Sequence, residues 1–162
     1  MTLIIRQMRE EDIFFVQEIA KSSWHDTYEG IIPKKVQERF LQIAYSKESL
    51  LKRRQKSSFL VAVLDESLVG FANFSKTNNG QAELFAIYLV PNMQHKGIGT
   101  ALLENGIQQL ENPTTLTVCV EKENTIAMRF YQAKGFQFVE EFDDLFDGHV
   151  LKTIRMALLF PR

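Results

Sequence analysis

Two glycines lie one residue apart, at Gly97 and Gly99, in the segment QHKGIGT between an apolar run and an amphipathic segment. A helix N-terminus has unpaired N–H groups and partial positive charge, so a loop with little side-chain bulk at such a terminus can bind a phosphate. A Walker loop requires GxxxxGK followed by Ser or Thr, and a dinucleotide-binding loop requires GxGxxG near the first strand. The segment matches neither pattern, and glycine is also common in simple turns. We therefore expect phosphate binding by a loop of another type.

A second segment, NTIAMRFYQAKGF, carries a phenol that could transfer a proton. Its pattern predicts a helix with Ala127, Phe130 and Tyr131 on one face. Gly135 is the expected C-terminal stop, because glycine readily adopts the left-handed conformation that ends many helices. The segment follows the short apolar run TLTVCV, which predicts a buried strand.

The two segments together resemble the signatures of the GNAT superfamily of acyl-CoA-dependent N-acyltransferases, QxxGxG and NxxAxxFYxxxGF, and the resemblance covers roughly residues 59–158. It implies direct transfer of an acetyl group to an amine, with acetyl-CoA as co-substrate. The pantetheine arm of CoA is expected on the backbone of Ile87 and Leu89, and an N–H near Leu89 would stabilise the oxyanion. The residues implied to bind acetyl-CoA are Ile87, Leu89, Gln94, His95, Lys96, Gly97, Ile98, Gly99, Thr100, Asn124, Ala127 and Tyr131.

The resemblance also implies a general acid and a general base, because the amine must lose a proton and the departing thiolate must be protonated or stabilised. Tyr131 matches the position of the acid, and the alternative is an aromatic residue of the core. Glu83 lies eleven residues before Gln94, where some members carry the base. The alternative for Glu83 is an ordinary polar residue at the start of a strand. Asn124 would contact the pantetheine arm, serve as a helix N-cap, or both.

The acceptor is expected beside Trp24 and Tyr28, in an N-terminal segment that resembles the flap of the family. An amine could pack on these aromatic faces, or the two side chains could close the first helix against the core. Cys119 is interpreted as a small core residue without a catalytic role. The final hairpin is acidic, which would suit a cationic acceptor, although such a run is commonly a solvated surface. Its acidic residues are Glu140, Glu141, Asp143, Asp144 and Asp147.

Composition excludes several other classes of protein. The 162 residues are 45% hydrophobic and 24% charged, which favours one globular domain over residues 1–162. The formal net charge of −1 argues against a nucleic-acid partner. The single cysteine cannot form an internal disulfide, which indicates a reducing compartment. The three histidines are too scattered to form a metal motif. No window approaches the roughly 18 apolar residues of a membrane helix, so we expect a cytoplasmic protein without a membrane partner.

Hydrophobic patterns predict the element order βαα(α)βββαβαββ, with hairpin turns across Asp65-Glu66-Ser67 and at Asp147-Gly148. The helix after the glycine loop is expected to run to Leu110 and to end because of Pro113. The expected fold class is α/β (α+β), a GNAT-like mixed and mostly antiparallel sheet of six to seven strands. Helices would cover both faces, and the central strands would be splayed. A homodimer is an expectation from the family alone.

The leading hypothesis is an N-acetyltransferase that acts on a primary amine of a small molecule, such as a polyamine. With the same chemistry, the acceptor could be a protein N-terminus or a lysine side chain. A non-catalytic acyl-CoA-binding sensor is a third possibility, although a pure binder needs neither Tyr131 nor Glu83.

Overall fold

Residues 2–161, which the computed structural model describes, form seven β-strands and five α-helices in the predicted order. A short 3-10 turn at Glu10–Asp12 precedes the first helix and was not predicted. The strands are β1 Leu3–Gln7, β2 Ser58–Leu64, β3 Ser67–Phe74, β4 Gln81–Leu89, β5 Thr115–Glu121, β6 Gln137–Phe146 and β7 His149–Leu159. The helices are α1 Ile13–Tyr28, α2 Lys34–Ala44, α3 Lys47–Lys56, α4 Ile98–Gln108 and α5 Thr125–Ala133.

All seven strands belong to one sheet, in the order β1-β2-β3-β4-β5-β7-β6. Only β4 and β5 are parallel, and every other neighbouring pair is antiparallel. Two-residue turns close the hairpins β2–β3 and β6–β7, with positive φ at Asp65 and Glu66 and at Asp147 and Gly148. Such turns match the right-handed twist of the strands. The predicted mixed, mostly antiparallel sheet is confirmed.

The central strands β4 and β5 separate part of the way along their length. They pair from Gln81 opposite Thr115 to Leu84 opposite Val118, and no further. Beyond that point β4 stays paired with β3 as far as Leu89, while β5 stays paired with β7. A register shift leaves Phe85 as an extra residue in β4, and such a bulge bends the strand that carries it. The predicted splay of the central strands is confirmed.

Apolar side chains bury both faces of the sheet. On one face, α4 and α5 pack on a cluster that includes Leu84, Leu102 and Val118. On the other face, α1 and α3 pack on a cluster around Phe59 and Phe71. A third, smaller cluster joins the α1–α2 segment to the tip of the β6–β7 hairpin. The predicted covering of both faces by helices is therefore confirmed.

The helix after the glycine loop ends at Gln108, earlier than its sequence pattern predicts. Leu110 lies beyond it in a tight turn, where its N–H donates to the carbonyl of Ile107 at 3.1 Å. Asn112 then adopts a positive φ of 46°, which reverses the chain before Pro113 is reached.

In the described part of the chain, no helix has the length and apolar character required to cross a membrane.

Candidate active site

A cleft opens where β4 and β5 separate, with a cavity volume of about 70 Å³. Its walls come from residues 84–88 of β4 and residues 118–121 of β5. Asn124, Ala127 and Tyr131 close one side, and Tyr28 of α1 contributes from the other. Helix α5 and helix α1 lie on opposite faces of the sheet, so the cleft passes between the two faces.

The backbone of β4 presents two peptide units to this cleft. The N–H of Val90 donates to the carbonyl of Val69 at 2.8 Å, which fixes the alternation of hydrogen bonds between β3 and β4. The N–H and carbonyl of Tyr88 therefore bond to β3, while those of Ile87 and Leu89 point towards β5, which no longer pairs with β4 at this point. The carbonyl of Leu89 accepts a hydrogen bond from Ser23 Oγ of α1 at 2.8 Å. The structure thus directs the backbone of both predicted residues towards the gap.

The glycine loop leads into the N-terminus of α4. Gly97 is its N-cap with φ of 80°, and a Cβ at this position would meet nothing within 4 Å, so glycine serves the backbone conformation alone. At Gly99, in the first turn of α4, a Cβ would lie 3.4 Å from the ring of Phe130, which is an ordinary van der Waals contact, so packing against α5 does not by itself require a glycine here.

The same helix end offers free hydrogen-bond donors. The first helical hydrogen bond runs from the N–H of Ala101 to the carbonyl of Gly97 at 3.0 Å, so the N–H groups before Ala101 have no partner of this kind. Within residues 2–161, no side chain caps this terminus, and its first turn carries no acid. Gln94, His95 and Lys96 are exposed beside it. These features fit a phosphate group, as the sequence predicts.

Tyr131 reaches the cleft from α5 and is buried, with 5% of its surface exposed. Its ring contacts Phe130 and Phe136 edge-on, at centroid distances of 5.3 and 5.2 Å. Burial raises the pKa of the Tyr131 hydroxyl well above its ordinary value, and the nearby hydroxyl of Tyr28 adds to the rise. The phenol therefore remains protonated at neutral pH, as a general acid must.

Asn124 lies at the start of α5, and its Oδ1 accepts a hydrogen bond from the N–H of Ala127 at 3.1 Å. The predicted N-cap is therefore confirmed. Asn124 and Ala127 also line the cleft, so both are accessible for the expected contact with the pantetheine arm.

The two acidic residues nearest the splay occupy different positions. Glu83 lies in the paired part of β4, opposite Thr117, and its side chain is exposed outside the lining of the cleft. Glu121 lines the cleft, and its carboxylate accepts a hydrogen bond from the N–H of Glu123 at 2.8 Å. Burial raises the pKa of Glu121. Burial also raises the pKa of Tyr28, and the charge of Glu121 adds to that rise. The sequence analysis missed Glu121, although its position three residues before Asn124 was a usable signal.

The two aromatic residues predicted near the acceptor occupy different environments in the fold. Trp24 is buried and stacks on Phe40, with ring centroids 4.4 Å apart. Its indole N–H is buried without a hydrogen-bond partner among the described residues. Tyr28 contacts Trp24 at 4.7 Å and also lines the cleft. Trp24 therefore closes the first helix against its neighbours, while Tyr28 reaches the gap.

The interpretation of Cys119 as a core residue is wrong. The residue is exposed and lines the cleft, just beyond Val118, where β4 stops pairing with β5. Desolvation nevertheless raises the pKa of its thiol, with the charge of Arg155 opposing the rise.

Most acids of the final hairpin are paired with bases. Glu140 contacts Arg155 at 2.9 Å, and Asp143 contacts Lys152 at 2.6 Å. Glu141 pairs with Lys122 at 3.1 Å, and Asp147 pairs with Arg39. The negative charge predicted to attract a cation is therefore largely balanced locally.

Comparison with known proteins agrees with this geometry. Residues 16–136 match the family model of the acetyltransferase (GNAT) family. The chain is 34% identical over 151 residues to spermidine N(1)-acetyltransferase of Thermoplasma acidophilum, covering 88% of this chain and 92% of the relative. It is 30% identical to the uncharacterized N-acetyltransferase YuaI of Bacillus subtilis, covering 94% and 91%. The crystal structure of PaiA N-acetyltransferase from T. acidophilum in complex with coenzyme A is similar in fold, with a TM-score of 0.86, 28% identity and coverage of 99% and 100%. The chain belongs to the GNAT family of N-acetyltransferases.

Proposed function

We propose that this enzyme transfers the acetyl group of acetyl-CoA to a primary amine of a small cationic molecule of the polyamine type. The observation that carries the proposal is the cleft through the splayed sheet, which joins the side of the glycine loop to the side of Tyr28. One co-substrate can enter from each side and meet the other in the gap. The spermidine N(1)-acetyltransferase relative supports a polyamine as the acceptor.

The CoA half of the site offers backbone groups for the pyrophosphate, the pantetheine arm and the thioester. The bare N-terminus of α4 would hold the pyrophosphate through N–H groups of residues 98–100. His95 and Gln94 contribute through the loop backbone, and Lys96 adds a positive charge beside it. The peptide units of Ile87 and Leu89 would receive the pantetheine arm as an additional strand. The N–H of Leu89 would stabilise the negative charge that develops on the thioester oxygen.

Tyr131 would protonate the departing thiolate. Its burial keeps the hydroxyl neutral, and its position on α5 places it on the CoA side of the cleft. Glu83 was expected as the base, yet it lies outside the lining of the cleft. Because Glu83 lies in the paired part of β4, it could remove the amine proton only through bridging water.

The acceptor side combines an aromatic ring with a carboxylate. Tyr28 offers its ring and hydroxyl, and Glu121 a negative charge. This combination suits an alkylammonium group better than a neutral acceptor.

The test is release of free CoA thiol from acetyl-CoA over a panel of spermidine, spermine, putrescine, lysine, aminoglycosides and peptides. We expect turnover with polyamines, with identification of the acetylated product by mass spectrometry. Acetylation of peptides alone would assign a protein N-terminus or lysine as the acceptor. Tight binding of acetyl-CoA without turnover on any amine would indicate a sensor instead.

A further inference from the structure

We propose that Glu121, and not Glu83, binds the ammonium group of the acceptor and takes its proton. The inference rests on the proposed acetyl transfer to an amine. The juxtaposition that supports it is a carboxylate on β5 that lines the same cleft as residues 84–88 of β4 and acts on Tyr28 through its charge.

Glu121 lies in the separated part of β5, where the cleft opens, and Glu83 lies in the paired part of β4. The paired residues of β4 and β5 run from Gln81 opposite Thr115 to Leu84 opposite Val118. Beyond Leu84 the two strands no longer pair, and Phe85 is an extra residue in β4. Glu121 lies three residues beyond Val118 in this separated part, and it lines the cleft together with Ile87 of β4. Glu83 is level with Thr117, four residues earlier on β5, which is about 13 Å along the strand. Of these two carboxylates, only Glu121 lines the cleft in which the amine would attack.

The face of the strand also suits this role. Side chains alternate along β5, so Glu121 shares a face with Thr117 and Cys119. Val118 and Val120 point the other way, into the cluster that contains Tyr131. The carboxylate and the phenol therefore approach the gap from opposite faces. A base on one face and an acid on the other would flank the carbon at which the C–N bond forms and the C–S bond breaks.

The charge of Glu121 is available to a cation. No lysine, arginine or histidine of residues 2–161 forms a salt bridge with it, in contrast to four acids of the final hairpin. One carboxylate oxygen accepts the N–H of Glu123, and a carboxylate has acceptor sites left after one such bond. Its partial burial raises its pKa and leaves the charge incompletely solvated, which favours contact with an ammonium group.

The proton balance of the step is complete. The acceptor ammonium gives one proton to Glu121, and the neutral nitrogen attacks the thioester carbon. The C–S bond breaks, and the thiolate takes a proton from Tyr131. The new amide nitrogen loses its second proton, which restores Tyr131, while Glu121 releases its proton to solvent. One acetyl group is transferred and one proton is released overall.

The test compares Glu121→Gln with two matched variants, Glu123→Gln and Glu83→Gln. Glutamine keeps an oxygen for the N–H of Glu123, so the turn before α5 is preserved. Glu123 is exposed, and its loss removes the same charge two residues away. We expect kcat/KM for spermidine to fall at least about 100-fold in Glu121→Gln, the lower end of general-base effects. Glu123→Gln should stay within about twofold and Glu83→Gln within about tenfold of the parent enzyme.

A pH profile separates this role from a structural one. The deficit of Glu121→Gln should shrink as pH rises towards about 10, where an alkylamine is increasingly neutral without a base. The Kd for acetyl-CoA and the unfolding temperature should match those of the parent enzyme. Full activity of Glu121→Gln together with a large loss in Glu83→Gln would overturn the inference. Absence of turnover in the parent enzyme on every amine is a different result, because it would refute the proposed function and this inference with it.

Discussion

Replacing Tyr131 by phenylalanine removes the proposed acid and little else. The variant keeps the ring and its edge-on contacts with Phe130 and Phe136. No side-chain hydrogen bond of the Tyr131 hydroxyl is present within residues 2–161, so the free energy of unfolding should change by less than about 1 kcal/mol. A loss of activity in this variant would therefore report chemistry and not folding.

The expected size of the effect follows from the role. Positioned proton transfer contributes roughly 10²- to 10⁴-fold to a rate, which corresponds to about 3 to 5 kcal/mol in the activation free energy. We expect kcat of Tyr131→Phe to fall by at least about 100-fold, with the Kd for acetyl-CoA unchanged. The assay is thiol release at saturating acetyl-CoA and polyamine, accompanied by calorimetric titration of acetyl-CoA.

The pH dependence gives a second readout. A general acid works in its protonated form, so its activity is lost as pH rises through its pKa. Because burial raises the pKa of Tyr131 above the ordinary value, this loss should begin only above about pH 10 in the parent enzyme.

Tyr45→Phe is the matched control, since it removes the hydroxyl of another buried tyrosine that lies outside the cleft. It should leave kcat within about twofold of the parent value. Activity of Tyr131→Phe within about threefold of the parent enzyme would refute the reasoning, because no general acid contributes so little.

Two further variants test the loop and the fold. Gly97→Ala forces a left-handed alanine, at a cost of about 1 kcal/mol, and should weaken acetyl-CoA binding roughly tenfold by calorimetry. Gly148→Ala, with the same φ of 80° but in a distant hairpin turn, should leave that affinity unchanged. Asp12→Asn should lower the free energy of unfolding by about 1 to 3 kcal/mol at pH 7, measured with urea, because it removes a charged partner of Arg6. Desolvation raises the pKa of Asp12, but the hydrogen bonds from Arg6 and from the N–H of Arg9 lower it overall, so its stabilisation is present above about pH 4 and lost as pH falls through the lowered pKa.

These two predictions fail in recognisable ways. Equal affinity losses in Gly97→Ala and Gly148→Ala would mean that general strain, and not the shape of the loop, governs binding. A stability difference between Asp12→Asn and the parent protein that persists at about pH 2 would contradict the linkage to ionisation.

Much of the site could be predicted from the sequence because its parts are local. The N-cap at Asn124 and the positive φ at Gly97 each depend on a few neighbouring residues. The helix face of Tyr131 follows from a spacing of three to four residues. The hairpin turn at Asp147-Gly148 likewise follows from two residues that accept the positive φ of such a turn.

The remaining features depend on contacts between distant segments. Cys119 is exposed in the part of β5 that β4 no longer pairs with, and no local pattern in β5 indicates this separation. Glu121 gains its environment from the same separation and from Tyr28, which is 93 positions earlier in the chain. The acids of the final hairpin are paired mainly by bases on neighbouring strands or on α2, so their charge was overestimated from sequence.

The most direct test of the account is titration of the purified protein with acetyl-CoA by calorimetry, followed by thiol release with spermidine in the same preparation. The account predicts a Kd in the micromolar range, about −8 kcal/mol, and formation of acetylated spermidine with release of CoA. Absence of acetyl-CoA binding would contradict the assignment of the glycine loop and the splayed strands, and with it every catalytic role proposed for the cleft.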